Sequence, residues 1–217
     1  MKKIIYLFTC ALVLNSCIVS IPLQANLDNQ TMLLVENRNI KVDYTLVSNL
    51  VDGNITYVSV LKNGYKTFEN ANYLYPSETS FKKMWSSYFL SKYNACSQDL
   101  MEVKITLKDL ALWEKAATSQ GWTFLTGTRQ VNLDAVATIY ATVTYHGNTY
   151  EQKFEVTSSD YNESQRVQYG DYYYTVNLTN PTQQKSKLLE ACLNKSIIHF
   201  ENFVRTILLT HIENAKS

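Results

Sequence analysis

The stretch LDAVATIYATVTYHGNTYEQKFEV, residues 133–156, decides the fold. It is strand-like throughout, and HGN at 146–148 supplies the turn of a β-hairpin. After the turn, Tyr150, Phe154 and Val156 face one side against Glu151, Lys153 and Glu155, the two-residue period of a half-buried strand. Positions 135–145 are apolar or small on both faces, which predicts a central strand covered on both sides. Working outward, MEVKITL at 101–107 alternates in the same way and is expected beside IKVDYTLV at 40–47. ITYVSVL at 55–61 is a further strand that follows the turn signal DGN and ends at Asn63 and Gly64. KDLALWEKAATSQGW, 108–122, fits either a strand extension or a short helix. The Ser, Asp, Asn and Gln residues of 158–168 predict a loop, and DYYYTVNL at 171–178 an edge strand.

Two stretches break the strand period. PSETSFKKMWSSYFLSKYNAC, 76–96, sets Phe81, Met84, Trp85, Tyr88, Phe89 and Tyr93 at steps of three and four after the start signals Pro76, Ser77 and Thr79. This predicts an amphipathic helix whose aromatic stripe packs on a sheet. The alternative is that Trp85, Tyr88 and Phe89 form a partner or ligand surface. Near the end, Asn180 can cap a helix and Pro181 suits its first turn, because its missing amide hydrogen would go unpaired there. Leu188, Leu189, Cys192, Ser196, His199, Phe203, Ile207 and Ile212 then mark out a helix running nearly to the terminus, with Ile198, Val204 and Leu208 broadening its apolar stripe. Such a helix exceeds roughly 40 Å, more than a small core requires, so its far end is expected to protrude or meet a partner. The sum is one α+β domain over residues 40–217, mainly antiparallel sheet against one mid-chain helix and one long C-terminal helix.

The 217 residues carry 20 basic and 19 acidic side chains, a balance that gives no electrostatic reason to expect nucleic acid as a partner. Sixteen Tyr against 3 Pro and 6 Gly favour ordered sheet over disorder. A chain of this size buries roughly 70% of its extended surface, so it needs no metal or disulfide lattice to fold.

Lys2, Lys3 and the apolar run IIYLFTCALVL, 4–14, form the charged start and short core of an export signal over residues 1–16. The run is shorter than the roughly 20 residues of a membrane span. LNSC, 14–17, places an aliphatic residue three before Cys17 and Ser16 directly before it, and so resembles a bacterial lipobox. That resemblance implies a diacylglyceryl group on the Cys17 thiol, cleavage just before it, and residues 17–39 as a lipidated N-terminus and tether. Several acyl chains hold a protein on a membrane where one does so only marginally. The alternative is cleavage after Ala25, leaving a soluble periplasmic or secreted protein; the apolar IVSIPL after Cys17 is unlike a polar tether. With Cys10 lost in the signal, Cys96 and Cys192 are either a disulfide, worth about 4–5 kcal/mol in the chain-entropy model, or two thiols that never meet.

Signals for chemistry are sparse. His199 and His211 lie twelve apart, about 120° round a helix, and cannot chelate one metal together. Cys192, seven before His199 on the same stripe, has the setting of a core residue and lacks the electropositive exposure of a reactive thiol. No metal-loop spacing, Gly-rich phosphate loop, nucleophile elbow or zinc signature occurs. The sequence therefore reads as non-enzymatic, without a cofactor.

The lipobox, MEVKITLKDL at 101–110, the hairpin at 133–156 and LLEACLNKSIIHFENFV at 188–204 together resemble the small accessory bacterial lipoproteins of the YajG kind, over about half the chain. The resemblance implies an α+β sandwich anchored in the outer membrane, facing the periplasm and contacting other envelope proteins, with no catalytic residues to carry over. Ile18 after the Cys, in place of Asp, fits release to the outer membrane. A competing reading is a periplasmic lipid or small-molecule carrier, with Trp85, Tyr88, Phe89 and helix 182–213 lining a pocket.

Overall fold

The hairpin is formed by β8 (Thr128–Tyr145) and β9 (Asn148–Tyr169), joined at His146 and Gly147. Both turn residues have positive φ, 49° and 77°, as a twisted two-residue hairpin turn requires. The computed structural model describes residues 19–21, 27–34, 36–60, 66–69, 73–116, 128–169, 172–177 and 181–214. The export signal, Cys17, the Ala25 alternative and the Asn63–Gly64 turn lie outside these residues.

β7 (Leu100–Ala116) pairs antiparallel with β8, with a register shift between Leu107 and Asp109. Two strands lie end to end along its other edge, both parallel to it. β2 (Lys41–Ser48) runs beside Leu100–Leu107, and β4 (Thr56–Val60) beside Ala111–Lys115. The ambiguous stretch after Leu107 is thus strand as far as Ala116, held by β8 on one side and β4 on the other. β5 (Lys66–Glu69) extends the sheet beyond β4, and β10 (Tyr172–Asn177) edges β9. Residues 158–168 are not the expected loop but the second half of β9. Pairing with β8 as far as Gln165 and with β10 from Ser164 onward overrides their turn-prone composition.

Helices α2 (Ser77–Lys92) and α3 (Pro181–Asn214) complete the α+β fold. The expectation that 135–145 is covered on both sides is corrected: Ala135, Ala137, Ile139, Ala141 and Val143 are at most 1% exposed, whereas Tyr140 on the opposite face is 43% exposed. The helices occupy one face, and the small alanines let them approach it closely. On that side Trp85 of α2 meets Phe200 of α3 edge-on at 5.4 Å, and Phe89 stacks on Tyr44 of β2 at 4.6 Å. No helix among the described residues is long and apolar enough to cross a membrane.

A small second sheet has the order β1 (Val19–Ser20), β6 (Tyr73–Tyr75), β3 (Gly53–Asn54). Short helix α1 (Asn29–Leu34) is capped by Asp28, whose carboxylate accepts the Thr31 N–H at 2.5 Å. Where it is described, the segment expected to be a tether is part of the fold. The Asp28 N–H donates to Asn194 Oδ1 at 3.2 Å, Lys92 Nζ to Met32 O at 2.7 Å, and Arg38 pairs with Glu201 at 2.7 Å.

Candidate functional site

Helix α3 runs antiparallel to β9 and is tied to it in steps. Gln184 Nε2 donates to Asp160 at 2.8 Å, Lys195 Nζ to Thr157 O at 3.1 Å, and His211 Nε2 lies 3.1 Å from the Tyr150 hydroxyl. Along the flank of α3 that faces β9, the packing changes character. Cys192 is 0% exposed, and its Sγ lies 3.2 Å from Val156 O and 3.4 Å from Ala135 O. His199, about 20° from Cys192 on the helix wheel, is exposed. The flank that is sealed at Cys192 has opened by His199, and the opening continues to Thr210 as a groove of about 400 Å³.

One wall of the groove is Tyr150, Gln152 and Phe154 of β9; the other is His199, Asn202, Phe203, Thr206, Ile207 and Thr210 of α3. Aromatic faces from Phe154 and Phe203, 6.0 Å apart and nearly perpendicular, lie among amide and hydroxyl groups that can both donate and accept hydrogen bonds. Past Ile207, the last buried residue among the described side chains of α3, Leu209 is 54% and Ile212 51% exposed. The same end carries a polar cluster at the hairpin tip. Tyr145 donates to Asp99 at 2.6 Å, His146 Nε2 lies 3.4 Å from Asp99, and the His146 and His211 rings are 5.4 Å apart. Burial, followed by the hydrogen bond and charge of Asp99, pushes the Tyr145 hydroxyl up to about 12. Among the described residues, no group of three or more His, Cys, Asp or Glu is placed to hold a metal.

A second polar constellation is sealed inside. Glu201 accepts from Arg38 Nη2 and from the Tyr88 hydroxyl, and the Tyr93 hydroxyl stands 3.5 Å away. Burial, the Tyr93 and Glu201 charges and their hydrogen bonds hold Tyr88 well above its ordinary value. Burial works against the Arg38 charge, but its bond to Glu201 and the nearby negative charge leave its pKa raised. The side chains of Arg38 and Glu201 are 9% and 8% exposed. The group therefore acts as a fastener between the N-terminal segment, α2 and α3, out of reach of a ligand.

The sequence-predicted site residues are not drawn together. Trp85, Tyr88 and Phe89 are 0%, 0% and 2% exposed, so they form no partner or ligand surface; Phe200 and their own neighbouring rings fill the space a ligand would take. Cys96 and Cys192 form no disulfide: Cys96 lies exposed in the turn after α2, while Cys192 is buried on the face of α3 that meets the sheet. Burial pushes the Cys192 thiol up to about 12, which makes it a core thiol and no nucleophile. The groove residues Gln152 and Asn202 escaped sequence reading. Gln152 had a signal: it falls in the inward phase of β9, between Tyr150 and Phe154, where an apolar residue would be expected.

No protein-family model matches the chain, and no curated protein does. Among solved structures, the chain is similar to an uncharacterized protein at 10% identity, with 78% of this chain and 94% of that one covered and a TM-score of 0.35. It is also similar to a Xanthomonas campestris protein of the DUF330 family, at 9% identity, with 93% and 100% covered and a TM-score of 0.44. A third similar structure is rare lipoprotein B from Shewanella oneidensis, at 9% identity, with 74% and 98% covered and a TM-score of 0.30.

Proposed function

We propose that the chain is a non-enzymatic bacterial envelope lipoprotein, anchored through lipid on Cys17, that holds a segment of a partner protein in the groove between β9 and the far half of α3. The observation that carries the reading is the exposed end of α3. Asn202, Thr206 and Thr210 are exposed along that end and, with Phe154 and Phe203, line an open groove of aromatic rings, amides and hydroxyls. Apolar side chains next to groups that can bond a peptide backbone suit a polypeptide. The lipobox at 14–17 and the YajG-type pattern support the envelope address, with the outer membrane as the expected site.

A lipid or small-molecule carrier is the second reading. A volume of about 400 Å³ lies within the range of small-ligand pockets. The groove, and not the aromatic stripe of α2, would hold such a ligand.

Site-specific photo-crosslinking in cells separates the two. A photoreactive side chain at Leu209 should capture one discrete protein band, and the same probe at exposed Glu151 should not. Filling the groove with Thr206→Arg should abolish the band. If no protein crosslinks from 209 while native mass spectra show a retained small molecule, the partner reading gives way to the carrier. The anchor is tested by the intact mass of membrane-extracted protein, in which acyl mass should vanish on Cys17→Ala.

A further inference from the structure

We infer that the end of the molecule built from β1, β6 and the first turns of α3 is its membrane-facing surface, seated on the phospholipid headgroups of the bilayer that receives the Cys17 lipid. The inference rests on the lipidated reading of Cys17. In sequence, only Ile18 separates Cys17 from Val19, and Val19 and Ser20 already pair in parallel with Tyr73 and Leu74 of β6. The Ile21 N–H continues the attachment by donating to Leu74 O at 2.8 Å, and the Ile21 side chain is 1% exposed. Two residues of extended chain reach at most about 7 Å. Acyl chains on Cys17 therefore enter the bilayer within that distance of a strand built into the fold, with no spacer between.

The position of β6 fixes which end this is. Lys185, in the first turns of α3, donates from Nζ to the Tyr73 hydroxyl at 3.0 Å and lies 4.4 Å from the centre of its ring. Lys185 is 5% exposed, so the contact is a packed joint. From Lys185 to His211 the helix rises about 39 Å. The N-terminal segment follows α3 in that direction, touching it at Asn194 through Asp28 and at Glu201 through Arg38. The anchor and the exposed end of the groove thus lie at opposite poles of α3, and the protein presents its partner site tens of ångströms from the lipid surface without a flexible arm.

Fluorescence quenching in the full-length lipidated protein tests this. Against a Cys96→Ser background, a fluorophore is attached at Gln183→Cys or at Ile212→Cys. The protein is reconstituted into vesicles of phosphatidylethanolamine and phosphatidylglycerol that contain a nitroxide-headgroup lipid. Quenching at 183 should exceed that at 212 several-fold. A Gly-Ser insert of about 12 residues between Ile18 and Val19, spanning roughly 20 Å, should bring 183 down to the level of 212. Equal quenching at both positions, or no response to the insert, in protein whose intact mass carries the acyl chains overturns the orientation and leaves the anchor standing. A chain without acyl mass overturns both.

Discussion

The two ends of α3 were built from the same kind of sequence and ended differently. On the flank facing β9 the helix is closed at Cys192 by Ala135 and Val156 and open from His199 onward, and beyond Ile207 the side chains of Leu209 and Ile212 face solvent. Amphipathic spacing specifies a stripe on a helix, but what stands opposite decides whether that stripe is filled. Opposite the first part stand small side chains, and opposite the last part stand Tyr150 and Gln152. The closed part holds the fold, and the open part leaves its side chains to solvent.

The sharpest test of that contrast is the Arg38–Glu201 fastener. Glu201→Ala leaves a buried guanidinium without its carboxylate and should cost about 3–5 kcal/mol in urea unfolding. The double replacement Arg38→Met with Glu201→Met removes both charges and should restore most of that loss. At the open end, Leu209→Ser should stay within about 0.5 kcal/mol of the parent. Equal losses at 201 and 209 would erase the distinction. The two thiols sharpen it further. Cys96 should react with a thiol reagent in the native protein, whereas Cys192, sealed and with its thiol pushed up to about 12, should react only at the rate of unfolding. Native-state labelling of Cys192 would place an opening where the packing is described as closed.

Much of the fold could be read in advance because periodicity reports a residue's own element. The hairpin at 146–147, the strands at 40–47 and 101–107, the aromatic helix and the helix beginning at Pro181 all follow from local spacing. What could not be read depends on partners distant in sequence. Residues 158–168 carry turn-forming side chains but are strand because β8 and β10 flank them. Tyr140 lies in a run that looks doubly covered, yet no described helix packs over its face. The groove was illegible for the same reason: His199 and Phe203 sit on the stripe that seals Cys192, and only the side chains of β9 opposite them decide that they line an open groove.

The hairpin tip offers a smaller effect with a defined sign. Tyr145 titrates at about 12, above the ordinary value of about 10. Its protonated form is therefore favoured by the fold, and the stability it contributes is complete below about pH 10 and lost as pH rises through 12. Asp99→Asn removes the charge that helps raise it, so the tyrosinate absorbance should appear at lower pH, with a stability loss of about 1–2 kcal/mol. An unchanged titration would mean that burial alone sets the value and that the tip is as closed as the helix core.

The smallest effect lies at the start of α2. Pro76 occupies the capping position and makes no side-chain bond there, although Ser77 and Thr79 look like start signals in the sequence. Asp52, from the loop before β3, instead accepts the Thr79 N–H at 3.0 Å and also the Thr79 hydroxyl. Burial works upward on its carboxyl, but the bonds from Thr79 and the Glu78 N–H and the Lys82 charge together outweigh it and hold the pKa below the usual carboxylate value. Stability from a depressed carboxylate is present above the unfolded pKa of about 3.9 and lost as pH falls through the folded value. Asp52→Ala should therefore cost about 0.5–1 kcal/mol at neutral pH, and the difference from the parent should shrink in acid. A deficit that persists at low pH would assign the role of Asp52 to loop packing, leaving the aromatic helix to begin without a charged cap.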